Sequence, residues 1–396
     1  MSKANNPEAR NKMKILFAAD VFPDPNSGAA GTEYQTIQAL RRLGHEVDEI
    51  WADDLPHKIT HGNLHYLLEL PGGFRDAIRR KWDLKKYDVI HANQGHSYLA
   101  ALEHLKQRRP GVFVCRSHGL DDHMEIVLKK WRKQLGIRNR NFLKSIPGFF
   151  IDKLLFRHDR LAAKYASGYI VSSSLDREFL INYHRMQPER VACIPQAPPS
   201  HFIKTPVSEF SPERLKRILY VGGFAYWKAP QTVAAVANEI FQKTTDATLT
   251  WVCMENDHSA VLSLLTPNAR EHTRLIGWVS QEELLRVYDE NGIFICPSLF
   301  DGFAKVFLEA MARGLSVIAT RTGGMYDIIK DGENGYHVDF NDSVAISSRI
   351  KYLQENYTLA KEISASARDT ACEYSWDRVA RETVAFYERL LSLPKR

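Results

Sequence analysis

Apolar, β-branched runs recur along the chain, each followed by a longer stretch with helical periodicity. In the first half they are KILFAA (14–19), EVDEIW (46–51), YDVIHA (87–92), GVFVC (111–115), GYIVSS (168–173) and RVACI (190–194). In the second half they are RILYV (217–221), ATLTWVC (247–253), TRLIG (273–277), GIFIC (292–296), LSVIA (315–319) and GYHV (335–338). Short continuous apolar runs suit strands buried on both faces of a parallel sheet. Their alternation with helical stretches predicts α/β units. KILFAADVFP and RILYVGGFAY open the two halves alike, a repeat of architecture rather than of sequence. Between them lies IPQAPPSHFIKTPVSEFSPE (194–213), rich in Pro and Ser, which reads as an interdomain linker. The pattern predicts two doubly wound α/β domains, 13–205 and 206–375, facing across a cleft at the carboxyl ends of their strands. A last stretch, 374–393, puts Trp376, Val379, Ala380, Val384, Tyr387, Leu390 and Leu391 on one helical stripe, with Ser375 as N-cap.

Composition narrows the class. A chain of 396 residues is too long for one compact core. Its 44% hydrophobic and 25% charged residues are ordinary for a globular protein. Cys115, Cys193, Cys253, Cys296 and Cys372 show no metal or redox spacing, so a reducing, cytoplasmic setting without disulfides is expected. The opening MSKANNPEARNK lacks an apolar signal core and reads as a polar tail. No apolar run is long enough to span a bilayer. The net charge of +6 is unevenly placed: from Met124 to Lys164, eleven basic residues against three acids leave a net +8, and the remainder of the chain is −2.

Four Gly-bearing turns follow predicted strands and open helices. NSGAAGTEYQT (26–36) offers Gly31 for close approach of an anion to a helix start, without the dinucleotide pattern G-x-G-x-x-G. VCRSHGLDDH (114–123) brings His118 just past a strand; Asp121, Asp122 and His123 lack a second ligand cluster, so no metal is expected. YVGGFAYWKAPQT (220–232) carries Gly222 and Gly223, then Lys228 near a helix start, an arrangement suited to a diphosphate. TRTGGMYDII (320–329) repeats the device with Gly323 and Gly324. FDGFAKVFLEAMARG (300–314) adds two acids, Asp301 and Glu309. Eight positions along a helix is about 12 Å of rise, more than a hydrolase acid/base pair spans, and it suits two ends of one extended ligand.

In that order the motifs resemble the retaining glycosyltransferases of family 4, which have the GT-B fold. DGFAKVFLEAMARG is similar to E-G-F-G-L-x-x-L-E-A-M-A-x-G, the E-x7-E signature, and TGGMYDII to G-G-x-x-E-I-I. GHEV, SHG, WKAP, the PS at 297–298 and YSWDRVA also match in order, so the resemblance runs from about Met13 to Leu393. It implies two Rossmann-like domains, the first on the acceptor side and completed by the C-terminal helix 376–393, the second on the donor side. Glu309 would hold the ribose hydroxyls of a nucleotide, and Asp301 the hydroxyls of the donor sugar. Amides of Gly302, Phe303, Ala304 and Lys305 would line sugar and phosphates, and Lys228 would neutralise the diphosphate beside Gly222 and Gly223. Gly31 would approach from the other domain, His118 would put its carbonyl near the anomeric carbon, and Trp278 and Val279 would face the base. The implied reaction moves a sugar from a nucleotide donor, UDP-linked first and GDP-linked second, to a hydroxyl acceptor with retention, needing neither cofactor nor metal. Four departures stand out. Asp301 and Asp327 replace the family's glutamates, and Gly223 replaces the Arg that usually follows V-G. Lys305 takes a position that is usually apolar, where it either substitutes for that Arg or faces an acidic sugar. The losses also admit a degenerate relative that binds sugar nucleotides or serves as a partner subunit.

The basic segment falls where the family commonly contacts its acceptor. Phe150, Ile151, Leu154, Leu155, Leu161 and Tyr165 can share a face, with Lys153, Arg157, Arg160 and Lys164 elsewhere. With Lys129, Lys130, Arg132 and Lys133, this is the pattern of a solvated basic helix or of a surface for an anionic acceptor or membrane. A lipid-linked or glycan acceptor and a peripheral place on the inner face of a membrane are the matching partners. No nucleic-acid module is present.

Overall fold

The computed structural model describes residues 12–25, 27–134, 154–242 and 246–395. All twelve predicted strands form, to within two residues at either end. They are β1 (Lys14–Ala18), β2 (Glu46–Ile50), β3 (Val89–Asn93), β4 (Val112–Arg116), β5 (Gly168–Val171), β6 (Val191–Cys193), β7 (Arg217–Val221), β8 (Thr248–Val252), β9 (Thr273–Ile276), β10 (Ile293–Cys296), β11 (Ser316–Thr320) and β12 (Tyr336–Val338). Two six-stranded sheets result, ordered β2-β1-β3-β4-β5-β6 and β12-β11-β10-β7-β8-β9, every pair parallel. Strand order reverses between β1 and β3 in the first sheet and between β7 and β10 in the second. Those reversals open the crevices where doubly wound sheets take ligands. The uniformly apolar strands explain themselves: β3, β4, β10 and β11 are buried along their whole length, covered on both faces.

The terminal helix, Trp376–Ser392, returns to the first domain. Ser375 caps it by accepting from the Arg378 amide. Its buried stripe packs with Ile15, Phe17 and Val89, and it lies close against Gly168, where an added Cβ would stand 2.4 Å from the Leu390 side chain. Leu391 departs from the predicted stripe and is 42% exposed, because it lies one step past the buried Leu390. The Pro/Ser-rich linker is also more ordered than its composition suggests. It contains a helix, Ser200–Lys204, and Arg313 at the end of the two-acid motif pins it. The fully buried Arg313 guanidinium donates to the carbonyls of Phe202, Thr205 and Pro206 and pairs with Asp289 at 2.7 Å.

Two helix starts carry backbone strain. Ala229 and Ala304 cap the helices Pro230–Ile240 and Lys305–Ala312 with φ of 54° and 61°. A Cβ disfavours this left-handed region, and the family sequence resembled here has Gly at both positions. Ala304→Gly and Ala229→Gly are each expected to stabilise the protein by about 0.5–1 kcal/mol, strain relief exceeding the extra chain entropy of glycine. The midpoint of denaturant unfolding checks this; an unchanged or lower midpoint contradicts it.

The domains meet closely. Asp327 of the second domain accepts from the amide of Ser174 at 2.8 Å and from its hydroxyl, at the start of the helix Ser174–Asn182 in the first. Arg132 donates to Tyr226 at 3.0 Å, and the Trp131 and Phe340 rings lie 5.2 Å apart.

Candidate active site

The second-domain half of the site is built on the two strands that flank its reversal. After β7 come Gly222 and Gly223, then a turn Tyr226–Lys228; after β10 comes the loop with Asp301. Gly222 is confined, since an added Cβ would sit 2.6 Å from the Tyr220 hydroxyl, whereas the space beside Gly223 is open. Lys228 Nζ meets Asp301 Oδ2 at 2.5 Å. Burial opposes the charge on Lys228, but the Asp301 carboxylate outweighs it and holds the ammonium above its ordinary value. Gly302, Phe303 and Ala304 lead into the helix that carries Lys305 and Glu309.

Glu309 is 2% exposed and accepts from the Tyr288 hydroxyl at 3.1 Å. Burial pushes its carboxyl up, and the nearby Lys305 charge and Tyr288 offset only part of that. Lys305 reaches out of the helix across the cleft and donates to the Ser27 carbonyl at 3.2 Å. Burial pulls its ammonium below the ordinary value, with Glu309 and Asp24 opposing. Trp278 and Val279 follow β9; Trp278 is 69% exposed, and its amide is held by Glu255 at 3.2 Å.

The first-domain half faces Gly302. His118, past β4, presents its backbone to that loop: a Cβ on Gly302 would stand 1.7 Å from the His118 carbonyl oxygen. The imidazole is turned inward. Nε2 meets Glu33 Oε1 at 2.6 Å, and Nδ1 meets the Gln196 amide at 3.3 Å. Gln196 in turn engages Thr32 and Ser172. Glu33 is completely buried on the first helix, Ala29–Arg42. Burial pushes its carboxyl up, but His118, helped by Arg116 and His91, outweighs that and holds it down to about 2. A carboxylate depressed in this way stabilises the fold fully above its ordinary 4.5 and loses that contribution as pH falls to about 2. The melting-temperature gap between wild type and Glu33→Gln is therefore expected to be widest near neutrality and to close toward pH 3. A gap that stays constant over that range contradicts the assignment.

Gly31 sits at the cleft, but its amide is taken by the Ser27 hydroxyl at 3.2 Å, so it offers close packing more than a free donor. Asp122 and His123, read above as an unpromising metal set, are occupied by His184 at 2.6 Å and Asp176 at 2.7 Å. Among the described residues no three metal-binding side chains cluster. The basic segment divides. Lys129, Lys130 and Lys133 on the helix Asp121–Gln134, and Arg157 and Arg160 on the helix Arg157–Tyr165, are exposed. Arg132 instead bridges to Tyr226 and Glu125. Phe150, Ile151 and Lys153 lie outside the described residues. The buried face of Arg157–Tyr165 carries His158, Asp159, Ala162 and Ala163, not the predicted apolar set, and Leu154 is exposed. The sequence pointed to neither Glu33 nor Gln196; an acid inside a turn read as anion-binding was the one available clue.

Two doubly wound domains closed over a Lys–Asp pair, a helix-borne buried glutamate and a facing backbone carbonyl define a GT-B protein. Two family profiles divide the chain: Glycosyltransferase Family 4 matches residues 27–197 and Glycosyl transferases group 1 matches 203–370. The chain belongs to the group 1 glycosyltransferases. It is 26% identical over 393 residues to spore coat protein SA of Bacillus subtilis, covering 95% of this chain and all of that one. It is 39% identical to a sucrose synthase of Acidithiobacillus caldus over 120 residues, 28% of this chain and 14% of that protein. Among solved structures, sucrose-phosphate synthase from Thermosynechococcus elongatus has a TM-score of 0.71 at 19% identity, covering 96% of this chain and 99% of that one. Anabaena HepE in complex with UDP and glucose scores 0.67 at 18% identity, covering 96% of this chain and all of that one. No helix among the described residues is long and apolar enough to cross a membrane.

Proposed function

We propose that this glycosyltransferase moves a sugar from a nucleoside diphosphate, a UDP-sugar first and a GDP-sugar second, to a hydroxyl acceptor with retention and without a metal. The observation that carries the reading is the Lys228–Asp301 pair at the strand-order reversal, opposite the His118 carbonyl. In the free protein the two charges neutralise one another. With donor bound, Lys228 turns to the diphosphate, where negative charge grows as the bond to the anomeric carbon breaks. Asp301 is released to the sugar hydroxyls. Amides from Gly302 to Lys305 line the phosphates, and Trp278 and Val279 face the base. The acceptor attacks on the face the diphosphate leaves, and its proton passes to a diphosphate oxygen. Close contact of the domains excludes water that would otherwise take the sugar. Lys305, directed over the cleft, supplies the charge that Gly223 lacks. UDP is favoured because HepE, of the same fold, is described with UDP and with UDP-glucose.

Glu309 gives the test. Its desolvated carboxylate disfavours the empty fold at neutral pH and gains partners when ribose hydroxyls arrive. Glu309→Gln is therefore expected to melt above wild type without ligand, yet to bind the nucleotide roughly tenfold more weakly. Thermal shifts of both proteins with UDP, GDP, ADP and dTDP read this directly. A variant that melts no higher and binds as well removes the ribose assignment. The open space at Gly223 keeps a second reading, a sugar-nucleotide binder without turnover; release of free nucleoside diphosphate separates the two. The acceptor side favours a glycan or lipid-linked hydroxyl, and the exposed cations suit a peripheral place on an anionic membrane. Absence of co-sedimentation with anionic vesicles at low salt would remove the membrane.

A further inference from the structure

A cavity of ≈550 Å³ opens beside Asp301 between the domains, within the ~300–1,000 Å³ of small-molecule sites. It lies on one side of the catalytic loop. The groups assigned to nucleotide and diphosphate follow β7 and β9 or run from Gly302 onward after β10, whereas the cavity's second-domain wall is Leu299, Phe300 and Asp301 just before them together with residues after β11 and β12. A molecule in it approaches Asp301 from the side away from the nucleotide. Its other wall is one face of the helix Asp121–Gln134, with Ile126 and Trp131 turned into it, and Leu175 beyond. Trp131 from the first domain and Phe340 from the second close over it 5.2 Å apart, so domain contact completes the wall. Ile126 is 47% exposed there, an apolar side chain the core does not use.

The polar groups are unevenly matched. Asp176 is paired with His123 and Asp301 with Lys228. Lys130 and Arg321 line the cavity as exposed side chains at its rim, with no hydrogen-bond or ion-pair partner among the described residues, against one exposed and equally unmatched carboxylate, Asp339. Apolar walls ask for an apolar body, and two unmatched cations ask for an anion.

We propose that this cavity is the acceptor subsite and that it takes a hydroxyl carried on a compact apolar body that also bears an anionic group. This deepens the transferase reading and rests on it. The hydroxyl oxygen forms the bond to the anomeric carbon, the bond from that carbon to the diphosphate oxygen breaks, and the hydroxyl proton goes to the departing diphosphate. The phosphate or carboxylate of the acceptor lies between Lys130 and Arg321.

Four probes separate the two features: hexyl β-D-glucoside 6-phosphate, hexyl β-D-glucoside, glucose 6-phosphate and glucose. Their affinities are measured by calorimetry on the full chain saturated with its nucleotide, whose own dissociation constant is measured first. The phosphorylated hexyl glucoside is expected to bind at least about tenfold more tightly than the other three. Lys130→Ala with Arg321→Ala should remove the advantage of the phosphate, and Ile126→Asp that of the hexyl group, each leaving nucleotide affinity unchanged. Equal binding of glucose 6-phosphate makes the apolar wall idle and overturns the proposal, as does equal binding of the uncharged glucoside. A fall in nucleotide affinity in these variants reassigns the cavity to the donor and overturns it too. If no nucleotide binds wild type, the donor reading fails; the same four affinities on the free protein then judge the cavity by the same criteria.

Discussion

Gly302→Ala is expected to reduce turnover by more than about 100-fold while the protein stays folded. The three nearest atoms that the methyl group would meet all belong to the other domain. The new Cβ would stand 1.7 Å from the His118 carbonyl oxygen and 2.6 Å from the Gly119 Cα. Both are backbone atoms, so no rotamer change relieves the clash, and the domains must part. Parting them moves the His118 carbonyl away from the place proposed for the donor sugar and lets water into the cleft. A displacement of about an ångström at reacting groups costs on the order of a hundredfold. Nucleoside diphosphate release, with the melting temperature as control, reads the outcome. Turnover within tenfold of wild type would show that the approach of His118 to Gly302 is not part of the working geometry.

That contact also shows which parts of the site were legible in the chain. The strands were, because a parallel strand covered on both faces is written as one continuous apolar run, such as Val112–Arg116. The loop and helix that carry Asp301 and Glu309 were too, because they are contiguous and their spacing is fixed locally. What escaped is what joins distant segments. Glu33 and His118 are 85 positions apart, and Asp327 and Ser174 are 153 apart. Nothing in either member's neighbourhood names the other. Gly31 shows the limit within one turn: it was read as letting an anion approach the helix start, but the Ser27 hydroxyl four residues earlier takes the amide that an anion would need. Arg132 shows it for a surface: it was read with a basic face for solvent, an anionic acceptor or a membrane, yet Tyr226 of the other domain is what it meets.

Gly223→Arg is expected to raise kcat/KM by roughly 10- to 100-fold, the effect of one charge-assisted hydrogen bond of about 1.5–3 kcal/mol to the diphosphate. The position is ready for it. No atom lies within 4 Å of an added Cβ, and the residue is not among those with positive φ, so the side chain enters without backbone strain. It would stand on the strand end that leads to Lys228, where the family sequence resembled here carries that Arg. Lys305 makes the experiment sharper. If its ammonium supplies the missing charge, Lys305→Ala alone should lower kcat/KM, and adding Gly223→Arg should restore it beyond the sum of the separate changes. Groups acting on one diphosphate are coupled, and a double-mutant cycle measures that coupling. A strictly additive cycle would mean that Lys305 serves only to bridge the cleft to the Ser27 carbonyl. Loss of activity in Gly223→Arg would mean that the space beside Gly223 is filled by the donor itself, and that glycine there admits a bulkier sugar.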